Sequence, residues 1–264
     1  MSKHIAIIGG GNLGSAIAEG LLKSKFNKPS EITITRRNTA ALNFLKEKGI
    51  LITDDNNEAV QKSDVVILAV KPFQVADVLT EIKNKLDSSK IFISVVTGVT
   101  ISEIENIPQH KLPLFRAMPN TAIAIQQSMT CICSKDATAK EIDYVNDLFD
   151  KLGSVVTIDE KLMEAATILG ACGIAYALRF IRANIQGGIE IGFDAATASL
   201  IAAQTVKGSA ELLIQTGRHP EQEIDKVTTP KGCTIAGLNE MEHRGFSSSL
   251  IRGVVASYKK IAKD

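Results

Sequence analysis

The chain has 264 residues, enough for two domains or one large one. It is 45% hydrophobic and 22% charged, the balance of a soluble globular protein. A formal net charge of +1 offers no electrostatic hold on nucleic acid or an anionic membrane, and the absence of Trp leaves few platforms for stacking bases.

Ile5–Ile8 is a short apolar run of the kind a buried parallel strand carries. It leads into Gly9-Gly10-Gly11-Asn12-Leu13-Gly14, which contains G-x-G-x-x-G, and then into helical periodicity at Ile17, Ala18, Leu21 and Leu22. In a dinucleotide-binding turn each glycine has its own work. Gly9 makes the tight bend, Gly11 lets the backbone approach a pyrophosphate, and Gly14 lets helix and strand pack closely. The free N–H groups and positive end of the helix favour phosphates. Because the apolar run meets the turn directly, no secretory signal is expected there.

Pro29-Ser30 interrupts the chain, and Glu31–Arg36 alternates as a second strand. NAD enzymes usually end this strand with an acid for the ribose 2′-hydroxyl. Here Thr35, Arg36, Arg37 and Asn38 follow. Two guanidiniums suit the extra phosphate of NADP, and the same residues also suit an ordinary solvated basic turn. Ala40–Lys48 reads as a helix ended by Gly49, Ile50–Thr53 as a strand, and Asp55–Glu58 as a helix start.

Asp64–Val70 is nearly all apolar, as a strand covered on both faces should be, and Pro72 ends it. Ligands in this fold class bind at the carboxyl ends of strands, so Ala69, Val70 and Lys71 are either cofactor-site residues or a plain strand exit. Val75–Leu86 reads as a helix and Lys90–Val96 as a fifth strand leading to Thr97-Gly98. Leu112–Met118 is a sixth, followed by Pro119-Asn120-Thr121. Met129–Cys133 and Val155–Ile158 are further strands around a helix near Glu141–Leu152. The alternation predicts an α/β fold, a doubly wound and mostly parallel Rossmann sheet.

Near residue 160 the β-branched runs stop and Ala-rich helical stretches begin. The predicted division is a dinucleotide-binding domain over 1–160 and an all-helical domain over 161–264. The longest uncharged stretch, Ala165–Leu178, is 14 residues, too short to span a bilayer and suited to a buried helix. Asp194 is a good N-cap for a helix ending at Gly217, and Pro220 opens a short helix to Val227. Thr234 is placed to cap a helix ending near Gly245, and Ser247 or Ser248 to cap the last one. The apolar faces of these helices predict an oligomer interface.

Thr228–Thr234 reads TTPKGCT, a loop between two helices. It is either a simple capped loop or a carboxylate site at a helix N-terminus. Cys131, Cys133, Cys172 and Cys233 form no C-x-x-C, so no metal site is expected. They read as reduced thiols of a cytoplasmic protein. His4, His110, His219 and His243 are scattered, as surface or internally satisfied histidines are.

Four motifs occur in order: GGGNLG, AVKP (Ala69–Pro72), RAMPNT (Arg116–Thr121) and TPKGCTIAGLNEMEHRGF (Thr229–Phe246). Together they resemble the pyrroline-5-carboxylate reductase family, over nearly the whole chain. The resemblance implies NADPH or NADH as hydride donor and Δ1-pyrroline-5-carboxylate as substrate. It also implies a homodimer with interleaved helices, open to assembly into a larger ring such as a decamer, with the partner's loop delivered to the cofactor. By position, it assigns Gly9–Leu13 to the pyrophosphate, Arg36 and Arg37 to the adenosine phosphate, and Asn56 to the adenine ribose. It sets Ala69–Lys71, Asn120 and Thr121 around nicotinamide and substrate, and Thr229, Gly232, Cys233 and Thr234 in the substrate loop. Thr234, as the ring-nitrogen partner, is the catalytic candidate. Two rival readings are a reductase of another small imine or keto acid and a non-catalytic NADP-binding regulator.

Overall fold

The computed structural model describes residues 3–106 and 111–262, so His110 lies outside the described residues. The chain runs β1 (Ile5–Ile8), α1 (Asn12–Ser24), β2 (Ile32–Thr35), α2 (Asn43–Lys46), β3 (Leu51–Thr53), α3 (Asn56–Gln61) and β4 (Val65–Leu68). It continues through α4 (Val75–Ile82), β5 (Ile91–Ser94), α5 (Ile101–Glu105), β6 (Leu114–Met118), β7 (Ser128–Lys135), α6 (Ala139–Asp150) and β8 (Gly153–Thr157). The helices α7 (Met163–Ala166), α8 (Gly173–Glu190), α9 (Ala195–Thr216), α10 (Pro220–Lys226), α11 (Cys233–His243) and α12 (Phe246–Ala262) follow, with a π-helical turn over Thr167–Cys172.

The strands form one eight-stranded sheet in the order β3-β2-β1-β4-β5-β6-β7-β8. Pairing is parallel except between β6 and β7. The chain leaves β1 toward β2 and β3, then returns to place β4 on the other side of β1. That reversal is a topological switch point, where this architecture opens a crevice at the carboxyl ends of β1 and β4.

The central strands read as unbroken apolar runs because both faces are covered. Ile5 and Ile7 of β1 join one core cluster, while Ala6 and Ile8 join the other. Val65 and Ile67 of β4 divide from Val66 and Leu68 in the same way. The edge strand β3 is partly exposed, as an uncovered edge requires.

The chain divides into two compact units, one running to Cys172 and taking up the residues from Lys260, the other Gly173–Lys259. In the second unit Asp194 caps α9 by accepting from the N–H groups of Ala196 and Thr197, and Gly217 ends it in the left-handed region. Gly188 lets α8 and α9 approach closely: a Cβ there would stand 3.2 Å from the Ala198 Cβ. Tyr176 donates its hydroxyl to Ser257 at 2.8 Å, joining α8 to α12.

Four expectations need correction. The helix over Ala165–Leu178 is not a buried one: Leu169 and Leu178 are exposed, and no residue of α8 is buried. Charge-free length misjudged that helix, because helical structure runs on through Arg179 and Arg182. The run Glu160–Glu190 has 31 residues, long and apolar enough by length and composition to cross a membrane. Thr234 is not the cap of α11; Gly232 holds that position, with extended backbone, and Thr234 lies in the first turn. Ser247 and Ser248 lie inside α12, whose first carbonyl acceptor is Gly245, bonded by Ser249 N–H at 2.8 Å. The missed helix α5 carries a capping box between Thr100 and Glu103, a signature present in T-I-S-E.

Candidate active site

The three glycines of the G-x-G-x-x-G pattern stand in three different surroundings. Gly9 has φ +111°, and a Cβ there would stand 2.6 Å from the Ala69 carbonyl oxygen. A Cβ on Gly14 would stand 2.1 Å from the Gly9 carbonyl oxygen, where α1 crosses the turn. At Gly11 a Cβ would meet nothing within 4 Å. The protein's own packing therefore does not ask for glycine at 11, and its backbone is left open on the cavity side.

The donors of the turn are also divided. Gly9 N–H donates to Thr35 Oγ1 at 3.2 Å, and Gly10 N–H donates to the Thr35 carbonyl at 2.6 Å. Both are occupied by the end of β2. The N–H groups of Asn12 and Leu13 open α1 and have no intrahelical acceptor, so the anion-binding donors sit on the second half of the turn.

This turn forms part of a cavity of about 910 Å³. Of the sequence-predicted residues, Gly9, Gly10, Gly11, Asn12, Leu13, Arg36, Arg37, Asn56, Ala69, Val70 and Lys71 line it. Gly14 is buried behind it. Arg36 is fastened rather than free, since its Nη1 donates to the Gly10 carbonyl at 2.8 Å. The cavity also contains residues that pattern reading did not single out as site residues: Thr35, Asp54, Asp77 and Glu81. Asp77 and Glu81 come from α4, one helical turn apart. The only local signal for them is an acidic face on an otherwise apolar helix, which is ordinary for a surface helix.

Asn120 and Thr121 lie past the carboxyl end of β6, outside that lining. Asn120 is held on both ends of its carboxamide. Its Oδ1 accepts from Ala122 N–H at 3.0 Å, and its Nδ2 donates to the Gly170 carbonyl at 3.3 Å. That carbonyl belongs to the π-helical turn, whose widened pitch is a frequent mark of functional sites.

In the second unit, Thr229, Lys231, Gly232, Cys233 and Thr234 form a tight bend into α11. Gly232 N–H donates to the Thr229 carbonyl at 2.9 Å, and a Cβ on Gly232 would stand 2.6 Å from Thr229 Oγ1. Gly232 has no capping side chain, so the N–H groups of Cys233 and Thr234 open the helix without a side-chain acceptor.

Residues 160–264 match the pyrroline-5-carboxylate reductase dimerisation family, and residues 4–98 match the family described as NADP oxidoreductase coenzyme F420-dependent. Pyrroline-5-carboxylate reductase 1 of Dictyostelium discoideum is 46% identical across 98% of the chain, which spans 49% of that relative's length. Pyrroline-5-carboxylate reductase 2 of the same organism is 45% identical across 99% of the chain and 93% of the relative. The chain belongs to the pyrroline-5-carboxylate reductase family. The crystal structure of Plasmodium falciparum pyrroline carboxylate reductase with NADP bound superposes with a TM-score of 0.89, at 29% identity, over 98% of this chain and 97% of that one.

Against the reductase family's usual S-P-G-G-T/A-T loop, this chain has Thr229 for Ser, Lys231 for Gly and Cys233 for Thr or Ala. Lys231 takes φ +61°, the left-handed conformation that glycine adopts freely, so the substitution keeps the bend and carries backbone strain. Its side chain is exposed.

Proposed function

We propose that this protein is an NADPH-dependent reductase converting Δ1-pyrroline-5-carboxylate to L-proline, the last step of proline synthesis, with NADH as a second donor. Family membership supports the activity, and the NADP in the Plasmodium relative supports the cofactor. The observation that carries the reading is Gly11. Its absent side chain leaves open space over the start of α1, a cradle shaped for a ligand.

Bound NADPH supplies a hydride to the imine carbon of the pyrroline. The chain's residues bind and align. Gly11, Asn12 and Leu13 hold the pyrophosphate, with Gly9, Gly10 and Gly14 shaping the turn. Arg36 and Arg37 meet the adenosine phosphate and Asn56 the ribose. Ala69, Val70, Lys71, Asn120 and Thr121 surround nicotinamide and substrate. In the loop of Thr229, Gly232, Cys233 and Thr234, N–H groups at the start of α11 take the substrate carboxylate. Thr234 Oγ1 hydrogen-bonds the ring nitrogen. A protonated ring nitrogen already makes the neighbouring carbon electrophilic, so alignment and charge placement suffice without a strong general base.

We further propose a cytoplasmic homodimer, extended into a larger ring such as a decamer, with no nucleic-acid or membrane partner. The four free thiols support the compartment, the net charge of +1 the lack of a nucleic-acid or membrane partner, and the dimerisation match the dimer. The apolar run Glu160–Glu190 falls wholly within the dimerisation match, and we take it as subunit interface and not as a membrane span.

Incubation with NADPH and pyrroline-5-carboxylate tests the reading. Nicotinamide absorbance should fall as an equal amount of proline forms. Turnover only with another imine or keto acid overturns the substrate, and no turnover with any of them overturns the enzyme.

A further inference from the structure

Three side chains from separate parts of the first unit form a hydrogen-bonded row on the cavity wall. Thr35, 2% exposed at the end of β2, accepts Gly9 N–H and donates its own proton to Asn56 Oδ1 at 2.7 Å. The carboxylate of Glu81 settles the orientation of the Asn56 carboxamide, because it only accepts and so must face the amide nitrogen, leaving the oxygen to the Thr35 hydroxyl. Asn56 Nδ2 consequently faces Glu81 and donates to its Oε2 at 3.0 Å.

An NAD-using Rossmann enzyme presents a carboxylate from the end of β2 to the ribose hydroxyl. Here that position is Thr35, which is buried and fully engaged. The row carries an acceptor outward from it, through Asn56 to a carboxylate supplied by α4. Arg36, Arg37 and Glu81 line the same cavity.

We propose that Glu81 is a specificity-determining residue. Its carboxylate accepts a hydrogen bond from the ribose 2′-hydroxyl of NADH and opposes the 2′-phosphate of NADPH, so the cavity takes both cofactors. The inference rests on the reductase reading. Two effects of opposite sign meet in one cavity. The guanidiniums attract the phosphate, and Glu81 repels it. A carboxylate beside a phosphate dianion in a solvent-open cleft lowers its affinity by up to about tenfold. A hydroxyl meets no such repulsion and gains a charge-assisted hydrogen bond. Asn56, held from behind by Thr35, keeps the carboxylate on the wall.

Glu81→Gln tests this, since glutamine keeps an oxygen for Asn56 Nδ2 and removes the charge. Dissociation constants for NADPH and NADH are measured on the intact protein by nicotinamide fluorescence without pyrroline, and kcat/KM with it. The NADPH constant should fall and the NADH constant rise, moving their ratio about tenfold toward NADPH. The melting temperature should stay unchanged. A purely structural role would move both cofactors together. An unchanged ratio in a protein that binds both overturns Glu81's role and leaves the reductase reading standing. A parent protein that binds NADPH alone also overturns Glu81's role. A parent that binds neither overturns both readings. Normal binding without pyrroline turnover overturns only the substrate, and the ratio of dissociation constants still decides Glu81.

Discussion

Arg116 Nη2 stands 3.1 Å from Glu164 Oε1, with the arginine side chain 1% exposed. Its Nη1 stands 3.1 Å from Glu160 Oε1, and the same oxygen accepts Ile101 N–H at 2.7 Å. One buried guanidinium thus ties β6 to the start of the helical run and, through Glu160, to the first turn of α5. Two carboxylates make its burial tolerable. Burial also pushes the neighbouring Cys133 thiol up to about 11.

Removing the guanidinium should leave two facing carboxylates without their cation. Arg116→Met should lower stability by about 3 kcal/mol, near the low end for a broken buried pair because both acids keep some water. Glu164→Gln, which keeps an acceptor, should cost about 1 kcal/mol. Urea denaturation measures both, and a fully stable Arg116→Met protein would rule out the clamp.

The two guanidiniums of the cavity should separate by function. Arg37→Ala should raise KM for NADPH about tenfold or more through lost phosphate contacts, with little change for NADH. Arg36→Ala should weaken both cofactors, because Arg36 also braces the Gly10 carbonyl. Steady-state kinetics with each cofactor decide, and equal effects of Arg37→Ala on the two would refute a phosphate role.

Because Gly232 caps α11, loss of the Thr234 hydroxyl should leave stability alone. Thr234→Ala should instead lower kcat by about tenfold to a hundredfold, the cost of one hydrogen bond to a reacting group. Full turnover with a lowered melting temperature would return Thr234 to a structural role.

Gly11→Asp should abolish cofactor binding and keep the fold, since a Cβ at this position meets no protein atom within 4 Å. Gly232→Trp with Thr234→Ala should spoil the substrate loop. We expect the two inactive proteins, unfolded and refolded together, to recover some activity, because a mixed dimer contains one intact pairing of turn and partner loop. Silent mixed dimers, or a fully active monomer, would refute a shared site.

Much of this molecule follows from local sequence. Conformational demands are local, so the Gly9 turn, the Asp194 cap, the Gly217 stop and the helix opened by Pro220 were all legible. The apolar runs of β1 and β4 announced buried strands, β4 covered on both faces, since alternate residues must all find a core. The sequence also distinguished the helical half from the sheet.

What only tertiary structure decided depends on residues far apart in the chain. Thr35, Asn56 and Glu81 lie on three elements, and no spacing rule links them until the sheet brings β2, α3 and α4 to one cavity wall. The cap of α11 fell to Gly232 and not Thr234 because Thr229 folds over it, a preference of the bend and not of the hydroxyl. The antiparallel entry of β7 beside β6 likewise has no periodicity to mark it. Leu200 at 71% exposed and Ile214 at 76% belong with these, because periodicity announces an apolar face on α9 and only the folded chain shows that its own residues leave that face uncovered.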